Sequence, residues 1–296
     1  MPNPREIHRH MRSIGNIQQI TKAMKMVAAA RLRRAQEKAA SSRPFAEKIE
    51  SLLLTAVSDK AVAAGMGNPL LEDRPVRKTG IIVISADKGL AGPYNSNVLK
   101  HAVAEMMDKD GYELITVGRK AKEYFQHRGY DVAKSFFGLS DKPNFEYAEQ
   151  IAKAATQLFL DGDVDEVILV STRFKSALSF TPETMHLLPV VAPEAEENAD
   201  GTKASKGYNE TVIFEPSPEE TLAQILPYYV KTIIYAGLMQ SAASELGARM
   251  TAMSSATENA SDLLRSLELS YNKARQAGIT REINEIVGGA EALQQN

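Results

Sequence analysis

The stretch AGLMQSAASELGARMTAMSSATENASDLLRSLELSYNKA, Ala236–Ala274, decides the fold. Through it and upstream of it, a seam runs Ile225, Tyr229, Thr232, Ala236, Met239, Ala243, Leu246, Met250, Met253, Thr257, Ala260, Leu264, Leu267, Tyr271 and Ala274. The steps alternate between four and three, and Thr232 and Thr257 are the only polar positions apart from the tyrosine hydroxyls. That is the 3.5-residue repeat of helices wound around one another. Many seam residues are small, so a partner helix can approach closely. Gly237, Gly247 and Gly278 weaken such a helix without stopping it.

The opposite end of the chain offers the partner. From Pro4 to about Val62 the sequence reads as one long helix, with Pro4 near its start, where a missing N–H costs nothing. Its apolar series is Ile7, Met11, Ile14, Ile17, Ile20, Met24, Val27, Leu32 and Ala35. Pro44 predicts a kink, and AAGMGNP at Ala63–Pro69 ends the helix. At 1.5 Å per residue such a helix is on the order of 85 Å long. The simplest way to bury both stripes is an antiparallel intramolecular coiled coil. A dimeric coiled coil leaves the N-terminal stripe without an assigned partner.

Between the two helices the periodicity changes. TGIIVIS (Thr79–Ser85), ELITVG (Glu113–Gly118) and EVILVST (Glu166–Thr172) are short β-rich runs, separated by candidate helices at Asn95–Lys109, Arg119–Arg128 and Phe145–Leu160. This alternation predicts a small Rossmann-like α/β domain with a largely parallel sheet. FTPETMHLLPV and TVIFEP add strands near the sheet edge, and the polar stretch Ala192–Asn209 reads as a mobile loop. The expected organisation is a shaft helix over 1–62, an α/β domain over 76–215, and a second shaft helix over 218–290.

Composition narrows the function. Of 296 residues none is cysteine, which removes disulfide frameworks, thiolate metal sites and cysteine nucleophiles together. No apolar run approaches the roughly 20 residues that cross a bilayer, and the N-terminus has no signal-peptide core, so a soluble chain made in the cytoplasm is expected. Net charge is −2, which does not describe a nucleic-acid binder, but the charge is uneven. Between Met1 and Ala40 nine Lys or Arg face only Glu6 and Glu37. This end suits an acidic partner, or else it is a solvated basic face.

Catalytic signals are weak. The loop SADKGLAGPYNSN, Ser85–Asn97, joins a strand to a helix and could hold a phosphate at the helix N-terminus. Its glycine spacing fits neither a P-loop nor a dinucleotide fingerprint. A tight connection built on Gly89, Gly92 and Pro93 accounts for it. His8 and His10 point different ways on a helix, and His101, His127 and His186 have no ligand-like neighbours. Asp161, Asp163 and Asp165 alternate as in a calcium loop, but the run is too short and lacks the twelfth-position acid. No metal, cofactor or catalytic residue is predicted. The residues offer more for mechanics than for catalysis.

REIHRHMRSIGNIQQITKAMKMVAAARLRRAQ near the N-terminus and NKARQAGITREINEIVGGAEAL (Asn272–Leu293) near the C-terminus resemble the opening helix and closing signature of the gamma subunit of F-type ATP synthases. Ile279, Thr280, Glu282, Glu285, Gly289 and Ala290 fall at that signature's spacing. ISADKGLAGPYNSN is similar to the family's post-strand loop, commonly nearer to SDRGLCGGxN, with Lys88, Ala91 and Pro93 departing from it. The resemblance covers essentially the whole chain.

It implies a non-catalytic rotor shaft. The coil would stand in a ring of three alpha and three beta subunits, with the α/β domain beside the epsilon subunit and on the c-ring of the membrane sector. Proton flow would turn the assembly, at the cytoplasmic face of a bacterial cell membrane, and force the beta sites through their conformations. By family match Met24 and Lys25 meet a beta lever, and Arg249 lies in the facing part of the C-terminal helix. Arg275 and Gln276 match a pair that hydrogen-bonds a beta loop. Thr280, Glu282 and Glu285 match polar residues of the shaft's upper end. Tyr208, Val212 and Glu215 fall in a segment resembling the foot over the c-ring. The chain lacks both the cysteines and the insert that give some photosynthetic members dithiol control. The competing reading is a soluble nucleotide-binding α/β protein with a coiled-coil dimerisation handle, and a third is a coiled-coil adaptor for another acidic partner.

Overall fold

A computed structural model describes residues 3–57, 68–138, 143–190 and 218–294. In chain order the elements are α1 (Pro4–Val57), a 3-10 turn (Pro69–Leu71), β1 (Thr79–Ile84), α2 (Tyr94–Met107), β2 (Tyr112–Val117), α3 (Arg119–His127), β3 (Lys134–Phe136), α4 (Phe145–Leu160), β4 (Glu166–Ser176), β5 (Ser179–Leu188) and α5 (Pro218–Gln294). The two end helices are 54 and 77 residues long, and each runs unbroken through an internal proline, Pro44 and Pro227. The glycines at 237, 247 and 278 do not interrupt α5. The chain divides into two units, Met1–Ala29 with Arg249–Asn296, and Ala30–Ala248.

The second unit is built on a five-stranded sheet in the order β3-β2-β1-β4-β5. β1 pairs in parallel with β2 and β4, β2 pairs in parallel with β3, and β5 closes the edge antiparallel to β4. All six residues of β1 are buried, as a central strand covered on both faces must be. On one face Val98, Leu99, Ala102 and Met106 of α2 and Ala121 and Phe125 of α3 cover Ile81, Val83, Leu114, Ile168 and Val170. On the other, Ile151 and Ala155 of α4 and Leu226, Val230, Ile234 and Leu238 of α5 cover Ile82, Ile84, Val117 and Leu169. The steps of four from Leu226 to Leu238 put all four α5 residues on one stripe.

The strand–helix alternation and the edge position of the FTPETMHLLPV strand follow the pattern read from the sequence; that this edge strand runs antiparallel is a finding of the structure. Three details differ. β3 is only three residues, Lys-Ser-Phe, too short to show an alternation. β4 extends to Ser176, past the apolar run, because β5 pairs it that far through a tight turn at Ala177 and Leu178. α2 ends at Met107 rather than Lys109. The TVIFEP strand and the Ala192–Asn209 loop lie outside the described residues.

Candidate functional surface

The unit formed by the chain ends is a two-helix coil, and four contacts set its register. The rings of His8 and Tyr271 lie 6.0 Å apart. Gln18 donates to Ser261 Oγ at 2.6 Å. Thr21 Oγ1 and Thr257 Oγ1 are 2.8 Å apart, and Lys25 Nζ donates to Ser254 Oγ at 2.8 Å. Each advance along α1 is matched by an equal retreat along α5, so the helices are antiparallel. In this register α1 begins at Pro4 opposite about Arg275, and among the described residues α5 continues alone beyond that point. Its residues 281–290 are all exposed.

On α5 the coil follows the predicted seam. Met253 and Ala260 are buried, and Thr257, Leu264, Leu267, Tyr271 and Ala274 are partly buried among exposed neighbours. On α1 the expected stripe needs correction. Ile7, Met11 and Ile14 face inward, but the seam then continues through Gln18, Thr21 and Ala28, with Thr21 and Ala28 buried. Ile17, Ile20 and Val27 are exposed, Ile20 by 58%. A strict heptad carried forward from Ile7, Met11 and Ile14 reaches Gln18 and Thr21. Following the largest apolar side chains instead drifts off the interface. Between Gln18 and Ala28 small and hydrogen-bonded polar residues of α1 take the buried places, and Ile20 and Val27 stand on the outer flank.

The predicted contact residues fall into distinct environments. Lys25 is exposed and tied into a short relay, since Ser254, which accepts from it, in turn donates to Glu258 at 3.2 Å. Met24 is half-buried beside it. Arg249 is only 8% exposed. Arg275, Gln276, Thr280, Glu282 and Glu285 lie on the last turns of α5, all of them exposed, as is Arg281. The Thr280 hydroxyl is engaged by its own helix, donating to the Gln276 carbonyl at 2.9 Å. Glu285 approaches Arg281 at 3.8 Å with both side chains largely in solvent, a pair of little energetic weight. Between these polar residues Ile279, Ile283, Ile286 and Val287 form an exposed apolar stripe, Ile286 by 71%. The polar pattern of this end is visible in the sequence; the outward isoleucines at steps of four and three are a second signal there. Tyr208, Val212 and Glu215 lie outside the described residues.

In the other unit the Ser85–Asn97 loop is consumed by its own architecture. Asn95 Oδ1 accepts from the Ala86 N–H at 3.0 Å, Asp87 Oδ1 accepts from the Arg119 N–H at 3.1 Å, and Ser85 Oγ accepts from the Ala121 N–H at 2.8 Å. Tyr94 is buried beneath it, with Phe180 at 6.3 Å. The cavity lined by Ile84, Ser85, Tyr94, Val117, Leu238 and Ser241 measures about 10 Å³, the scale of one water rather than a nucleotide.

His101 bonds Thr184 at 2.9 Å, and His186 lies 3.5 Å from Glu166. Burial opposes the charge of Glu166, but hydrogen bonds from Lys109 (2.6 Å) and Thr79 (2.7 Å) outweigh it and hold the carboxyl below its ordinary range. Among the described residues no cluster of three or more His, Cys, Asp or Glu is arranged to hold a metal, and no helix is long and apolar enough to cross a membrane.

Comparison with known proteins agrees with this picture. A family model described as ATP synthase matches residues 3–293. The ATP synthase gamma chain of Heliobacterium modesticaldum is 48% identical over 293 residues, covering 99% of this chain and all of that one. That of Desulforamulus reducens is 44% identical over 294 residues with the same coverage. Among solved structures, one of the central stalk and c-ring of the Tetrahymena thermophila mitochondrial ATP synthase contains a chain 26% identical, with a TM-score of 0.62 over 80% of this chain and 99% of that one. A chain of the Euglena gracilis mitochondrial ATP synthase, 17% identical, shares the fold with a TM-score of 0.68 over 98% and 94% of the two chains. With a family match across almost its whole length and relatives this similar end to end, the chain belongs to the ATP synthase gamma chain family.

Proposed function

We propose that this chain is the non-catalytic rotor shaft of a proton-driven F-type ATP synthase. It couples c-ring rotation to sequential conformational change in the beta subunits of a ring of three alpha and three beta chains. The observation that carries the reading is the outward placement of large apolar side chains on the coil, Ile17, Ile20 and Val27 on α1 and Ile279, Ile283 and Ile286 on α5. Stripes of this kind on a soluble chain call for a partner. A surrounding ring supplies one, and shallow apolar contacts let a shaft slide where buried ion pairs would lock it.

In this reading residues 1–62 and 218–290 form the shaft and 76–215 the body, which meets the epsilon subunit and the c-ring. Tyr208, Val212 and Glu215 belong to the foot. The complex, not this chain, binds ATP and moves protons, and the chain is peripheral to the cytoplasmic face of a bacterial cell membrane. Met24 and Lys25 contact a beta lever, and the cations Arg31, Arg33 and Arg34 suit acidic lever loops. Arg249 sits in the facing part of α5. Arg275 and Gln276 bond a beta loop, and Thr280, Glu282 and Glu285 line the upper end.

The test is purification of the complex from gently solubilised membranes through a C-terminal tag on this chain, followed by ATPase assay and subunit counting. Co-elution of an active ATPase with alpha and beta in threefold excess supports the rotor. Elution of the chain alone or as a dimer without ATPase overturns it. Arg275→Ala/Gln276→Ala in that complex should lower proton-driven synthesis; full synthesis would remove the pair from the contact set.

A further inference from the structure

The body grips α5 through a polar stitch at the outer half of β4. β1 pairs β4 only as far as Val170, while β5 follows β4 to Ser176. Among the described residues, β4 from Ser171 onward therefore has a strand on one side and none on the other. Backbone groups left without a ladder partner in a buried place need another one. They find it on α5. The Thr172 N–H donates to Ser241 Oγ at 3.2 Å, Ser244 Oγ donates to the Thr172 carbonyl at 3.3 Å, and the Phe174 N–H donates to Gln240 Oε1 at 3.1 Å. Three side chains of one helix face take the place that β1 vacates.

Two glycines set the closeness of this contact. A Cβ on Gly237 would lie 2.9 Å from Leu169 Cδ2, and one on Gly247 would lie 3.3 Å from both Cα and the carbonyl oxygen of Ala177. Gly237 meets Leu169, Ser241 and Ser244 meet Thr172, and Gly247 meets Ala177, while the longer Gln240 side chain reaches ahead to Phe174. The helix thus lies along the strand and its hairpin turn rather than touching them at one point. Apolar packing alone, as at Leu226–Leu238, tolerates small rotations of a helix about its axis. Directed hydrogen bonds to a strand backbone do not, because they weaken steeply with misalignment.

We propose that Gln240, Ser241 and Ser244 are positioning residues that fix the rotational phase of α5 against the body, so that this stitch is the joint through which torque enters the helix. The proposal rests on the rotor reading above. It requires the joint to stay closed throughout a turn.

The experiment uses the assembled complex in single-molecule rotation and in paired measurements of ATP hydrolysis and proton-driven synthesis. Gln240→Ala/Ser241→Ala/Ser244→Ala should assemble and hydrolyse ATP like the parent, broaden the angular distribution of the rotor, and lose synthesis relative to hydrolysis. Ser244→Thr, which keeps the hydroxyl, should retain the parental ratio. Parental width and ratio in the assembled triple variant overturn the proposal.

Where the triple variant fails to assemble, Ala177→Cys/Gly247→Cys decides. This chain has no native cysteine to compete, and the close approach of these positions suits a disulfide. Rotation and synthesis that persist after oxidation support a closed joint. Arrest on oxidation with recovery on reduction overturns it. A parental complex that does not rotate defeats the rotor reading itself, an outcome distinct from an unaltered triple variant.

Discussion

Thr21 Oγ1 on α1 and Thr257 Oγ1 on α5 lie 2.8 Å apart across the coil, at a position where a heptad seam ordinarily carries large apolar side chains. Thr21 donates to the Gln18 carbonyl at 3.0 Å, which leaves its oxygen to face Thr257 as an acceptor, and the Thr257 proton is shared between Thr21 and the Met253 carbonyl at 2.7 Å. Replacing both partners by an isostere removes the polar pair without orphaning either group. Thr21→Val/Thr257→Val is expected to keep or raise the thermal midpoint of the chain, whereas Thr257→Val alone costs about 1 kcal/mol. Thermal unfolding followed by circular dichroism separates the two; equal losses in both would mean that the hydroxyls do not act as a pair.

The exposed stripe on the last turns of α5 predicts a split between folding and assembly. Ile283→Glu/Ile286→Glu changes side chains already in solvent, so the isolated chain should shift by no more than about 0.5 kcal/mol per site. Recovery of alpha and beta subunits with the tagged chain should fall sharply. Undiminished recovery would return these isoleucines to the status of a solvated helix end.

Gly118 holds the body together at a place no other residue fits. Its φ is +95°, and a Cβ there would sit 2.3 Å from the Ser85 carbonyl oxygen. Gly118→Ala should cost about 1–3 kcal/mol from the backbone alone, with the clash in addition. Gly129 is the control, at φ +77° with open space where a Cβ would stand. Gly129→Ala should therefore show only the backbone cost of about 1–2 kcal/mol. Denaturant midpoints ranking the two the other way would refute the geometry.

Acid should loosen the body through two carboxylates. The Arg77 and Lys78 N–H groups hold Asp165 below its ordinary range. Glu166 is also lowered: burial works against it, but its bonds from Lys109 and Thr79 prevail. A depressed folded-state value means that stability is fully present above the unfolded carboxylate range and is lost as pH falls from there through the lower folded-state value. Glu183, raised by burial, has the opposite sign, favouring the fold while protonated and losing that contribution as pH rises. Asp165→Asn keeps an acceptor but cannot titrate, so it should flatten the acid limb of a stability–pH curve. An unchanged limb would exclude Asp165 as a source.

The α/β body is legible in the sequence because β1, β2 and the start of β4 are near-continuous apolar runs, the mark of strands covered on both faces. β3 is not, since three residues carry no period. The α5 seam from Met253 to Ala274 is legible for the opposite reason, a long regular repeat. The α1 seam misleads between Ile17 and Val27, because the pattern there rewards size while the interface selects smallness and hydrogen bonding. The β4–α5 stitch leaves no trace at all. Gln240, Ser241 and Ser244 are ordinary polar residues in a helix until the point where β1 ends is known.

The sequence by itself determined that two long helices flank an alternating α/β segment, since local periodicity, turn residues and helix breakers act over short stretches of chain. It also carried the closing signature Asn272–Leu293, which is a matter of residue identity. Only the tertiary structure decided which side of α1 faces α5, which isoleucines remain in solvent, and which helix side chains complete the broken edge of β4. Those outcomes depend on distances between residues far apart in the chain, where close approach of two backbones outweighs the burial of any one large side chain.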